Sequence, residues 1–173
     1  LAAMNSGAPE PLDAFERSMR DLPIEDRTFA PIFRERIRRD ADRRFLTMGN
    51  RTYSYGEFGA LALAFARGLA AIDVGPGSIV PLLLPNCPEF VVAWFALHLR
   101  GATMAPINPE LKGRMLQTAL DDCAAAVVIA GTEQLANLET VAPHTRARIR
   151  TVIAIGGPAP ADAVAFGDLL HSS

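Results

Sequence analysis

Lysine is almost missing from this sequence. Sixteen of its seventeen basic residues are arginine, and Lys112 is the one lysine. With the abundance of alanine this reads as the imprint of a GC-rich genome, a matter of composition rather than function. Cysteine and histidine are nearly as scarce. Cys87 and Cys123 form no C-x-x-C pair, and His98, His144 and His171 are scattered, so neither a zinc site nor a disulfide framework follows. No apolar run approaches the ~18 residues of a membrane span. No charged n-region followed by an apolar h-region opens the chain, so no signal peptide is expected and a cytoplasmic location is the default. A net charge of -2 gives a nucleic-acid-binding surface no electrostatic support. There is no internal repeat.

What remains is the composition of a globular protein. Half of the 173 residues are hydrophobic and 21% are charged, enough for one domain with a real core or for a piece of a larger one. Nine arginines fall between Arg17 and Arg44, but acidic residues are interleaved with them. A helix over Thr28 to Asp40 would turn Ile32, Phe33 and Ile37 inward and Arg34, Arg38 and Arg39 toward water, so a solvated face is expected there rather than a polyanion site. Residues 1–27 contain the small, unpatterned LAAMNSGAPEPLD and are expected to be a poorly ordered leader. The α/β unit is expected over 28–173.

Periodicity sets out that unit. Phe45 to Tyr53 has two short β-prone runs around Gly49-Asn50 and reads as a hairpin, although Gly-Asn is a weaker tight-turn pair than Asn-Gly. Ser54 and Glu57 have the spacing of a capping box. Phe58, Leu61, Phe65, Leu69 and Ile72 then recur at helical intervals, up to a turn at Gly75-Pro76-Gly77. Strands are expected over Ile79–Leu84, Thr103–Ile107, Ala125–Ala130 and Thr151–Ile155. A helix over Pro88–Arg100 follows the first. A second is expected after Asn108-Pro109, with Leu111, Met115, Leu116, Ala119 and Leu120 on its buried face. A third, capped by Thr132, carries Leu135, Leu138 and Val141. Phe166–Leu170 is a short final helix. Alternating strands and helices predict a mainly parallel sheet flanked by helices, with the hairpin at its margin. The nearly unbroken AAVVIA suits a strand covered on both faces.

The chemistry is less visible. Cys87, in LLLPNCPEF, stands at a strand-to-helix corner where a helix dipole can lower a thiol pKa. No G-x-[SC]-x-G elbow surrounds it, and no His/Asp pair is placed to activate it. The expected roles are structural: Asn86 caps the helix, Pro88 fixes its first turn and Glu89 sits at its positive end. Gly75-Pro76-Gly77 precedes a strand instead of following one, so it is no dinucleotide fingerprint. Gly156-Gly157 runs into a Pro/Ala stretch, and there is no P-loop. Trp94 and His98 are expected as a satisfied core pair, and Asp121-Asp122 as solvated.

Three stretches go further as a resemblance. T-Y-S-Y-G-E-F, LLLPNCPEF with its aliphatic and aromatic helix, and GATMAPINPEL resemble the N-terminal region of acyl-CoA synthetases. These enzymes belong to the adenylate-forming (AMP-binding) superfamily, and the likeness runs from about Thr28 to Leu170. It implies that the intact parent joins a carboxylic acid to coenzyme A, using ATP and magnesium, through an acyl-adenylate. An aryl or amino acid adenylation enzyme loading a carrier protein, or a non-catalytic binding module, would keep the same scaffold. The family's Ser/Thr/Gly-rich phosphate loop, acyl-site aromatic residue, Thr-Glu pair, ribose-binding aspartate and catalytic lysine match no position here. No catalytic, cofactor-binding or metal residue is therefore assigned, and Lys112 does not correspond to the catalytic lysine. The phosphate loop is expected beyond Ser173. ATP, magnesium and coenzyme A are expected for the parent but not bound to this segment, which should be inactive alone and prone to self-association through exposed apolar surface. Pro81 departs from the pattern and suggests an edge or irregular strand.

Overall fold

The computed structural model describes residues 23–24 and 28–171. Apart from Pro23 and Ile24, the expected leader lies outside the described residues.

Helix α1 (Phe29–Arg39) leads into a hairpin of β1 (Arg44–Met48) and β2 (Arg51–Ser54). At its turn only Gly49 has positive φ, +60°, as a type II′ turn requires at its first central position; this is why Gly-Asn serves here. Helix α2 (Tyr55–Ala71) begins with both halves of the capping box: the Glu57 N–H donates to Ser54 Oγ, and the Ser54 N–H donates to the Glu57 carboxylate.

The main sheet has five parallel strands: β3 (Ile79–Leu83), β4 (Thr103–Pro106), β5 (Val127–Gly131), β6 (Thr151–Ile155) and β7 (Val164–Ala165). They lie in the order β4-β3-β5-β6-β7. Helix α3 (Pro88–Leu99) links β3 to β4, and α4 (Gly113–Asp122) links β4 to β5. After β5 come a 3-10 turn (Thr132–Gln134), α5 (Leu135–Leu138) and α6 (Pro143–Arg148); α7 (Phe166–Leu170) follows β7. The four predicted strands and the hairpin are present, and β7 adds a fifth strand that the pattern does not announce.

Successive residues of a strand point to opposite faces, and each face of this sheet has its own core. Leu82, Val127, Ile129 and Ile153 pack with Phe33, Phe58, Phe65 and Leu69 from α1 and α2. Leu83, Val128, Ala130 and Val152 pack with Leu116 and Leu120 of α4. Burial on both sides explains the apolar run of β5. On the first face Phe29, Phe33, Phe45, Phe58 and Phe95 tie α1 and the hairpin to α2 and α3, with neighbouring ring centroids as close as 4.7 Å. Each such pair adds about 0.5–1.5 kcal/mol beyond the area it buries. Gly68 lets α7 close on α2, because a Cβ there would strike the Leu169 carbonyl.

Several local expectations give way. Asn108 does not open a helix: its Oδ1 accepts from the Glu110 N–H at 2.9 Å. That local turn delays α4 to Gly113, with Lys112 at its N-cap. Met115, expected on the buried face, is 69% exposed, while Leu116 and Leu120 of the same helix are fully buried. Thr132 caps nothing, and the helix expected to follow it is broken into the 3-10 turn, α5 and α6. Leu138 and Val141 are nevertheless buried. Cys87, not Asn86, is the N-cap of α3, and no side chain bonds there.

Of the two expectations at Pro81, an edge strand or an irregular one, the second holds. β3 lies between β4 and β5. The Ser78 and Leu82 carbonyls accept from Thr103 and Ile107 on the β4 side, so by alternation the Pro81 nitrogen faces β5. There the pairing covers only Leu82 with Ile129 and Leu83 with Ala130. The sheet accommodates an interior proline by leaving the start of that ladder unformed.

Candidate functional site

In an open parallel sheet, ligands bind beyond the carboxyl ends of the strands where the chain order reverses. Here β3 is followed in sequence by β4 on one side and by β5 on the other, which puts the reversal between β3 and β5. A cleft of about 220 Å³ opens at that place. Leu84 and Pro85 beyond β3, and Ile155 and Gly156 at the end of β6, form part of its wall. The corner after β5 supplies Thr132, Glu133 and Gln134, and the start of α3 supplies Cys87 and Glu89. The LLLPNCPEF corner is therefore also a wall of the cleft.

Burial pushes the Cys87 thiol up from its usual range, and the nearby Glu89 carboxylate adds to the effect. A thiol so placed stays protonated near neutrality and is a poor nucleophile. Glu89 accepts a charge-assisted hydrogen bond of 2.8 Å from Arg51 of the hairpin. Glu133 is exposed and has no ion-pair partner among the described residues.

A helix N-terminus at a switch point normally suits phosphate. This one does not. Pro88 has no N–H, and the Phe90 N–H is directed to the Cys87 carbonyl at 3.1 Å. No lysine, arginine or histidine lines the cleft, and two glutamates do. The residues present do not fit the triphosphate of ATP. Among the described residues no group of three or more His, Cys, Asp or Glu could hold a metal, and no helix is long and apolar enough to cross a membrane.

The other residues singled out by sequence lie elsewhere. His98 Nδ1 is 2.9 Å from the Trp94 carbonyl oxygen, and its ring packs on Phe29 at 5.1 Å. Trp94 itself is 40% exposed, so the two do not form a core pair. Asp121 is not merely solvated: it accepts from Thr145 Oγ1 at 2.8 Å and from Arg148, which holds its carboxyl below the usual value. Asp122 is exposed. Sequence reasoning misses Gln134 and Glu133 altogether and reads Thr132 only as a cap. The available signal is a polar G-T-E-Q corner directly after an apolar strand.

The architecture defines a doubly wound α/β domain, fronted by a hairpin, with a polar crevice at its switch point. The profile of the AMP-binding enzyme family matches residues 33–169, and the chain belongs to that family. It is 33% identical over 111 residues to a medium/long-chain-fatty-acid–CoA ligase of Mycobacterium tuberculosis, covering 64% of this chain and 19% of the relative. It is also 30% identical over 118 residues to a linear gramicidin synthase of Brevibacillus parabrevis, covering 68% of this chain and 2% of that protein. Its fold matches that of the anthranilate CoA ligase AuaEII, solved with anthranoyl-AMP, with a TM-score of 0.78 and 24% identity, over 88% of this chain and 29% of the other. The chain thus spans at most about a fifth of the length of these two curated relatives.

Proposed function

We propose that this chain is the N-terminal α/β portion of an adenylate-forming ligase that makes acyl-CoA. The observation that carries the reading is the family match across residues 33–169, joined to the similarity to a fatty-acid–CoA ligase. In the intact ligase a carboxylic acid and ATP give an acyl-adenylate and pyrophosphate. The acyl group then passes to the thiol of coenzyme A, and AMP departs. Such catalysis rests on magnesium and on donors held around the phosphates. This chain contributes scaffold to that arrangement, and none of its residues is assigned a catalytic role. Alone, it should bind ATP weakly or not at all and form no adenylate.

A second reading has a specific observation behind it, the match to a gramicidin synthase: the acyl group would pass to a carrier protein instead of coenzyme A. A non-catalytic module is the third. The test uses the protein that carries this chain together with a phosphate loop. Acid-dependent exchange of pyrophosphate into ATP excludes the module, and AMP release on adding free coenzyme A excludes the carrier-protein reading. Absence of exchange with fatty, aromatic and amino acids alike overturns both enzyme readings. For the 173-residue chain, calorimetry with ATP and magnesium should show no micromolar binding, and light scattering should show association through apolar surface. A clean monomer binding ATP tightly refutes the scaffold role.

A further inference from the structure

Four polar side chains are buried among the described residues: Asp40, Gln134, Asn137 and Thr145. Three have partners. Asp40 accepts from Arg36 and Arg43, Asn137 donates to the Pro109 carbonyl, and Thr145 donates to Asp121. Gln134 is 9% exposed, lines the switch-point cleft, and its side-chain amide makes no hydrogen bond among the described residues. No fully covered side-chain nitrogen or oxygen lacks a partner among those residues. The little exposure that Gln134 keeps therefore includes its amide, and Gln134 is a lining residue of that cleft. A native protein rarely covers a polar side chain this far without giving it a partner. Gly131 makes room for it: a Cβ at that position would collide with Gln134 Oε1.

We propose that the cleft binds a small apolar body bearing an amide or amidine head group, with Gln134 as its hydrogen-bonding residue and Glu133 favouring positive charge. A glutamine amide presents one acceptor and two donors, so it pairs reciprocally with another amide. The buried Leu84 and Ile155 supply apolar walls. Thr132 at the rim adds a hydroxyl. Anions are excluded by the features that exclude phosphate: Glu133, without an ion-pair partner among the described residues, a lining without a cation, and Pro88 in place of a donor. A volume of about 220 Å³ is below the ~300 Å³ of typical ligand pockets, which limits the guest to about one ring.

Benzamidine, benzamide and benzoate test this with one ring and three head-group charges. Each is titrated into the 173-residue chain by calorimetry and by amide-resolved NMR. Benzamidine and benzamide should saturate and shift the Gly131 and Gln134 resonances, with benzoate at least tenfold weaker. Gln134→Met, which keeps volume, should weaken both binders about tenfold. Glu133→Gln, at an exposed position, should bring benzamidine down to the level of benzamide and leave benzamide unchanged. In alkaline solution benzamide should slow iodoacetamide alkylation of Cys87 but not of Cys123, which lines a different cleft. Equal binding of benzoate overturns the proposal, as does absence of saturation by all three probes, an unchanged affinity in Gln134→Met, or an unchanged charge preference in Glu133→Gln. These outcomes are independent of pyrophosphate exchange, so the ligase reading and the cleft reading fail separately.

Discussion

The two faces of the sheet are built on different principles. One is covered by α1, α2, α3 and α7, and interlocked through the rings of Phe29, Phe33, Phe45, Phe58 and Phe95. The other is covered by α4 and the short α5 and α6, whose apolar contribution centres on Leu116, Leu120 and Leu138. There, polar links hold the pieces: Asn137 to the Pro109 carbonyl, the Gly113 N–H to Thr140 Oγ1, and Thr145 with Arg148 to Asp121. A long helix is stabilised along its length by one apolar stripe, whereas short helices need individual fastenings.

The aromatic face depends most on Phe58, which is fully buried and packs on the rings of Phe33, Phe45, Tyr53 and Phe95. Phe58→Ala should cost about 3–5 kcal/mol in urea unfolding. A loss below that of Leu120→Ala would deny the aromatic face its larger share. On the polar face, Thr145→Val removes the hydroxyl bonded to Asp121 from a site that is 1% exposed, and should cost about 1.5–3 kcal/mol in the same measurement.

The same fastening gives the polar face a pH dependence. Asp121 has its carboxyl lowered from 3.8, first by the Thr145 hydroxyl and then, against some desolvation, by Arg148. Its stabilisation is present above the unfolded value and is lost as pH falls through the folded one. The Tm gap between the wild type and Asp121→Asn should therefore be open near neutrality and close as the pH falls through the lowered value that Asp121 has in the folded protein. A gap constant with pH would show that the carboxylate charge is not what fastens α6. The smallest effect is expected at Cys87→Ser. The N-cap thiol makes no cap bond, so stability should change by no more than about 0.5 kcal/mol, and any activity of the parent should survive.

Legibility in the sequence follows the same division. The stripe from Phe58 to Ile72, the Ser54–Glu57 box and the strand Thr151–Ile155 are readable because periodicity and chemistry agree over many residues. The segment from Asn108 to Arg148 misleads where short-range hydrogen bonds override the pattern. The Asn108 side chain forms a turn in place of a cap, and the stripe Leu135, Leu138, Val141 runs on across a helix that ends at Leu138. The cleft is less legible still. Its walls come from the ends of three strands that are far apart in sequence, and the isolation of Gln134 is visible only once the neighbours that fail to reach it are in place.

The interior proline gives the sheet a mechanical grain. β5 and β6 are laced from Val127–Thr151 to Gly131–Ile155, and β3 is laced to β4 from Ile79 to Leu82. Between these two plates the stitching is confined to Leu82 and Leu83. A shear that slides one plate past the other meets least resistance along this seam, and the cleft opens at the seam's carboxyl end. A guest lodged there would bridge Leu84 and Cys87 on one plate with Gln134 and Ile155 on the other, acting as a rivet across the seam between them.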